Sequence, residues 1–165
     1  MLRAERLVLL SAAAVLVCAA FFSCATVPPA SPQASVAEDA SAKQFVPPAG
    51  KADIYIVRSR DLVSFGQVEP FMIEVDGRMI GYLAPGMFFL VPVEPGRHEI
   101  TAASMAGIDR IGMSTAAGEN HFYQASEGSS SDSSSSGRPS LGILLIPGLA
   151  KMQIQQSRLA QSSAP

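Results

Sequence analysis

Between Ala52 and Ala103 short apolar runs alternate with tight polar turns, a rhythm that predicts strands rather than helices. The first run, Ala52 to Arg60 (ADIYIVRSR), is rich in β-branched and aromatic residues. On a strand, Ile54 and Ile56 fall on one face and Tyr55 and Val57 on the other, so this strand should be covered on both sides. After a connection over Asp61 to Gln67, Phe71, Ile73 and Val75 alternate with Met72 and Glu74. Asp76-Gly77 follows, the pair favoured where both central positions of a type I′ hairpin turn need positive φ. Met79 to Leu83 is the return strand, with Gly81 marking a bulge or a close backbone approach. Ala84-Pro85-Gly86 turns the chain into MFFLVPV (Met87 to Val93), the most apolar run of the domain. Pro92 has no N–H to give a ladder, so this strand ends there or lies at an edge. In the turn Glu94 to Arg97, Pro95 sets φ at the first central position and Gly96 supplies the left-handed one. His98, Ile100 and Ala102 then alternate with Glu99, Thr101 and Ala103, a half-solvated strand.

Further on the signal weakens. Asp109 to Ala116 reads as a weaker strand, and Ala117 to Asn120 turns the chain into HFYQAS. Glu127 to Gly137 is a serine tract unable to bury apolar surface, hence a flexible loop. Leu141 to Ile146 reads as a buried strand, broken by Pro147-Gly148. Leu149, Met152 and Leu159 are spaced for a short amphipathic helix within Leu149 to Gln161. The fold expected is all-β: a small antiparallel sandwich or barrel of about seven to eight short strands, with a short C-terminal helix. The β domain should span residues 51–146, with the helix and tail over 147–165.

The N-terminus has a different character. Arg3 and Arg6 precede the apolar run LVLLSAAAVLVCAAFFSC, the charged and apolar parts of a secretory signal. Phe21-Phe22-Ser23-Cys24 resembles a bacterial lipobox, in which a small residue precedes a cysteine that is acylated after cleavage. Residues 1–23 are then the signal peptide, and Cys24 carries the lipid (palmitate or a similar acyl chain). Two other readings stay open: cleavage after Ala25 at the small residues Ser23 and Ala25, or retention of the run as an uncleaved anchor. Residues 24–50, rich in Ala, Ser and Pro without a helical or strand period, suit a disordered spacer. Ala25 is not the Asp that marks inner-membrane retention, which points to the outer membrane, facing the periplasm.

Charge and chemistry remove several classes. The chain has 12 Lys and Arg against 14 Asp and Glu, and losing Arg3, Arg6 and Glu5 with the signal leaves 10 against 13. A mildly acidic protein without clustered positive charge is not expected to bind nucleic acid. The only cysteines are Cys18 and Cys24, so the folded part has no disulfide or thiolate metal site. His98 and His121 stand alone on strands, and Glu69, Glu74, Asp76, Glu94 and Glu99 read as solvating acids beside turns. No phosphate loop and no Gly-x-Ser-x-Gly elbow occurs. No catalytic, cofactor or metal residue is therefore expected. The residues singled out are Cys24 for lipidation, and Asp76, Gly77, Pro95 and Gly96 as structural turns.

The order of these motifs carries a resemblance. Tyr55-Ile56-Val57-Arg58-Ser59, Val75-Asp76-Gly77-Arg78-Met79-Ile80-Gly81, Phe88-Phe89, Pro95-Gly96-Arg97-His98 and Ala117-Gly118-Glu119-Asn120-His121-Phe122-Tyr123 follow one another in the chain. From Ala52 to Gln124 the sequence resembles the bacterial lipoprotein family labelled domain of unknown function 2846, and it is similar to PEGA-type surface domains. The resemblance implies a lipobox joined to a compact β domain, with the serine tract as an insertion, and it brings no established activity. The expected function is a non-enzymatic, membrane-tethered envelope module that binds a protein partner or cell-wall glycan. Two alternatives are a carrier of a small apolar ligand or lipid, lined by Met87, Phe88, Phe89 and Leu90, and, further off, an envelope hydrolase using a histidine beside a carboxylate.

Overall fold

The computed structural model describes residues 28–60, 69–128 and 138–163. Nine strands and two helices are formed there: α1 (Val36–Ala42), β1 (Ala52–Arg58), β2 (Phe71–Val75), β3 (Arg78–Leu83), β4 (Met87–Val93), β5 (Gly96–Ser104), β6 (Gly107–Thr115), β7 (Asn120–Glu127), β8 (Pro139–Ile143), α2 (Pro147–Gln156) and β9 (Arg158–Leu159). They build the expected β-sandwich: a five-stranded sheet in the order β8-β7-β1-β4-β9 faces a four-stranded sheet in the order β3-β2-β5-β6. Most pairs are antiparallel, but β1 runs parallel to β7, and β4 parallel to β9.

β1 shows why the chain folds this way. All seven of its residues are buried. Ile54 and Ile56 enter the core between the sheets, with Phe71, Ile73, Phe89 and Ile100. Tyr55 and Val57 point to the opposite face of their sheet, where Phe88, Phe122, Ala42, Ala150 and Ile154 close a second core. The two-sided apolar pattern is thus met by a third layer of helices. Tyr55 is stacked on Phe122 with ring centroids 5.3 Å apart, and its hydroxyl donates to the Ala42 carbonyl at 2.8 Å.

The part of the expected spacer that lies in the described residues, 28–50, is folded. Ser35 and Glu38 form a reciprocal capping box that starts α1. Lys43 Nζ donates to Asp39 Oδ2 at 2.7 Å and to the Ser157 carbonyl at 2.8 Å, while Asp39 Oδ1 accepts from the Leu159 amide at 2.8 Å. The Ala/Ser/Pro composition misleads because the segment makes no core of its own. It has only to lay Ala42 and the ring of Phe45, 5.3 Å from that of Tyr55, over apolar surface that the five-stranded sheet already presents.

The C-terminal region differs in a related way. β8 is an edge strand rather than a buried one, and Ile143, Leu145 and Ile146 are exposed. Pro147 opens α2 instead of ending structure, as the first helical turn tolerates a missing N–H. α2 buries Ala150 and Ile154 and leaves Leu149 and Met152 exposed, while Leu159 belongs to β9. The folded body therefore extends beyond 51–146 at both ends. β6 is a full nine-residue strand in continuous register with β5, where a weaker one was expected. Pro92 lies within β4 on a stretch that β9, paired only at Met87 and Phe88, leaves as an edge. Of the serine tract Glu127 to Gly137, Glu127 is the last residue of β7 rather than loop, and residues 129–137, like 61–68, lie outside the described residues. Among the described residues no helix is long and apolar enough to cross a membrane.

Gly81 has both features expected of it. The β2–β3 pairing jumps from Ile73–Gly81 to Glu74–Met79, leaving Ile80 as the extra residue of a bulge. Gly81 has φ +153°, and a Cβ there would overlap the Ser31 hydroxyl and come within 2.9 Å of Phe89 Cζ. Gly81→Ala should lower stability by about 1–3 kcal/mol, read as a lower urea midpoint. Gly142→Ala, with nothing within 4 Å of the new Cβ, should leave the midpoint nearly unchanged.

Candidate functional site

The four turn residues meet at one end of the sandwich. Asp76 and Gly77 have φ +53° and +71°, as a type I′ turn requires, and close the β2–β3 hairpin. Gly96 has φ +152°, far from the roughly +80° of a type II turn. The chain bends at Pro95 and enters β5 directly, so the expected turn geometry is replaced by a bend that still needs glycine. The two corners are joined because β2 pairs with β5, placing Val75 opposite Ile100. The Asp76 amide donates to the Glu99 carbonyl at 2.9 Å, and Asp76 Oδ1 accepts from the Glu99 amide at 2.9 Å.

His98 completes this clasp. Its Nδ1 lies 2.7 Å from Asp76 Oδ2 and its Nε2 lies 2.7 Å from the Glu94 carbonyl oxygen. A carboxylate and a carbonyl can only accept, so both ring nitrogens carry protons when both bonds are made. Burial opposes the imidazolium, but the bonds to Asp76 and Glu94 and the carboxylate charge outweigh it and raise the His98 pKa. Burial likewise opposes the Asp76 charge, and the bonds from His98 and the Glu99 amide overcome it, lowering the Asp76 pKa. Asp76 and His98 are thus partners, where the sequence showed only a solvating acid and a lone histidine.

Beside the clasp lies a cleft of about 490 Å³ between the β3 edge and the open stretch of β4. Arg78, Ile80 and Val91 line it, along with Lys51, whose Nζ is 3.2 Å from Glu94 Oε1. A histidine beside a carboxylate in a cleft is half of a hydrolytic grouping. The other half needs a free ring nitrogen facing a nucleophile, and here that nitrogen is bound to the Glu94 carbonyl. His121 sits on the other sheet, 3.0 Å from Glu119 Oε2 in its own loop. Among the described residues no group of three or more His, Cys, Asp or Glu could hold a metal ion. Met87, Phe88 and Phe89 fill the two cores, whereas Leu90 lines a cavity on either side of β4. Cys24 lies outside the described residues.

Residues 48–138, more than half of the chain, match the family described as protein of unknown function (DUF2846). The chain belongs to this family. A protein of Haemophilus influenzae described as uncharacterized is 33% identical over 103 residues, which cover 62% of this chain and 57% of the relative. The chain thus spans under two thirds of that relative's length. In this DUF2846 domain the motif residues Tyr55, Arg58, Asp76-Gly77 and Pro95-Gly96-Arg97-His98 hold strands and corners together. Arg58 is buried, donating to the Glu69 carbonyl at 2.7 Å with its guanidinium 3.6 Å from the Phe71 ring centroid.

The clasp gives the domain a pH signature. A histidine raised above its unfolded pKa of about 6.5 contributes stability in full below that value, and loses it as pH rises through the folded value. Asp76, lowered in the folded state, contributes in full above about pH 4 and loses it as pH falls through its folded value. The pair is complete between about pH 4 and about pH 6.5. The urea midpoint should therefore fall from about pH 6 to about pH 8.5. Asp76→Asn, which tolerates positive φ, should remove most of that fall; an unchanged fall would assign it to another group.

Proposed function

We propose that this chain is a lipid-anchored lipoprotein of the bacterial envelope whose β body works by binding rather than by catalysis. The anchoring reading is supported by the charged and apolar signal pattern ahead of Ser23-Cys24. Folding from Pro28 onward changes what the tether does. Four residue steps separate Cys24 from Pro28, a reach of at most about 14 Å. Beyond Pro28, the Ser31 amide donates to the Tyr82 carbonyl and the Ala34 amide to the Leu159 carbonyl, both at 2.9 Å. A body tied to an acylated Cys24 sits against the bilayer instead of ranging from it on a leash. The absence of Asp after Cys24 favours the outer membrane.

The observation that carries the binding reading is a ridge of sequence, from the end of β8 into α2, rich in exposed apolar residues. Ile143 is 53% exposed, Leu145 83%, Ile146 60%, Leu149 54% and Met152 52%, all within ten residues of chain. Scattered exposed apolar residues are ordinary, but five so close together in the chain support a contact surface here. Aliphatic side chains favour an apolar protein surface over a hydroxyl-rich glycan. Both His98 nitrogens being bound disfavours hydrolysis at that cleft, and the burial of Phe88 and Phe89 disfavours a carrier built on that run.

Cys24→Ser should abolish incorporation of labelled palmitate and move the protein out of the membrane fraction. Full labelling in the variant would sink the anchor. Leu145→Asp combined with Leu149→Asp should at least preserve stability, since both positions are exposed, and should abolish site-specific crosslinks formed from Met152 in envelopes. Crosslinks that persist would place the contact surface elsewhere.

A further inference from the structure

β1 carries a second charged residue, Asp53, and among the described residues one of its oxygens goes unsatisfied. Asp53 is 2% exposed, and its Oδ1 has no hydrogen-bond partner among the described residues. It is paired in register with Asn120 on the parallel strand β7, which places the two side chains on the same face of the sheet. Asn120 Nδ2 donates to the Phe45 carbonyl at 3.0 Å, while its Oδ1 is also buried without a partner. Two neighbouring residues thus each hold an orphaned acceptor. Burying a polar atom unpaired costs about 1–3 kcal/mol, and more for a charged group. Burial alone raises the Asp53 pKa, with no cation opposing the effect.

Asp53 lines the floor of a cavity of about 390 Å³ between α1 and the outer face of β1 and β4. Ala42, Val46, Leu90 and Pro92 give it apolar walls, and Glu38 and Ser41 stand at its α1 side. Among the described residues no Lys or Arg lines it. The nearby lysines are committed elsewhere, Lys43 to Asp39 and Lys51 to Glu94. The Tyr55 hydroxyl, which also borders the cavity, gives its proton to Ala42. A cavity with apolar walls and a few convergent polar groups, one of them a buried unpaired carboxyl, has the form of a small-molecule site.

We infer that this cavity binds a small primary amine, with the ammonium group at Asp53 and a compact apolar body against Leu90 and Pro92. The donor set decides among cations. A hard metal ion takes six or more oxygens, and no metal-holding group exists among the described residues. A quaternary ammonium has no N–H to give an orphaned acceptor. A bridging water could donate to both orphaned oxygens, but it brings no charge to oppose a carboxylate and leaves the apolar walls unused. A primary ammonium supplies three donors and the opposite charge at one point. This site goes beyond the tethered binding reading and does not depend on it, because Cys24 and the ridge take no part in the cavity.

The test uses the full chain in detergent micelles, titrated with n-butylammonium, n-butanol and butyrate and followed by amide NMR shifts. Butylammonium alone should give saturable shifts confined to α1, β1 and the end of β4. Asp53→Asn should weaken them about tenfold or more, the scale of losing a charged contact. Ser41→Trp, at the exposed rim of α1, should obstruct the cavity without touching the core, and it keeps the test open should Asp53→Asn not fold. Equal shifts from butanol, no saturable shift from butylammonium, or unaltered binding in Asp53→Asn or Ser41→Trp would overturn the inference. Because Cys24→Ser should leave amine binding intact, failure of the anchor and failure of this site are read separately.

Discussion

Everything in this domain answers to one constraint, the burial of β1 on both faces. A sandwich of two sheets covers one face of each strand. β1 has Ile54 and Ile56 on one side and Tyr55 and Val57 on the other, so two layers cannot suffice. The third layer comes from the two ends of the chain, α1 and α2, and it is held by polar bonds as much as by apolar contact. Tyr55 fixes Ala42, Asp39 takes the Leu159 amide, and Lys43 bridges Asp39 to Ser157. The segments before and after the sandwich are therefore part of its fold.

The strands between Ala52 and Ala103 were legible because their signals are local. Alternation, Asp-Gly and the missing N–H of Pro92 act within a few residues. What was not legible depended on surface supplied from elsewhere. Nothing in VAEDASA shows that Tyr55 and Phe88 lie ready beneath it, although Ser35 and Glu38 at capping-box spacing were a readable helix start. The face of α2 was misread for a similar reason. Leu149 and Met152 stand at helical spacing to each other, but the face turned to Tyr55 and Phe88 carries Ala150 and Ile154, four residues apart.

The His98 clasp failed to appear for a topological reason. Asp76 and His98 are 22 positions apart and meet only because β2 pairs with β5, after β4 has crossed to the other sheet. Sequence order suggests neighbours along a meander, not this crossing. Each turn could be read singly, but the cleft they enclose could not. The clasp also shows that residues of a family pattern hold the structure together. Asp76 binds the β5 backbone and His98 together, and His98 ties the Glu94 corner back to it.

Two buried charges on β1 then separate support from function. Arg58, at one end, is surrounded by acceptors: the Glu69 carbonyl at 2.7 Å, the Leu83 carbonyl at 3.3 Å, the Glu127 carboxylate at 3.4 Å, and the face of Phe71. That arrangement costs side-chain freedom but leaves the guanidinium compensated, and its role is complete within the protein. Asp53, five residues earlier on the same strand, is as deeply buried and has no such shell. Folds settle their buried charges wherever only stability is at stake, and local rules are broken mainly where something else must bind. The contrast lies within one strand, between two residues equally far from solvent. It makes the Asp53 end of β1 the place where the domain is incomplete by itself.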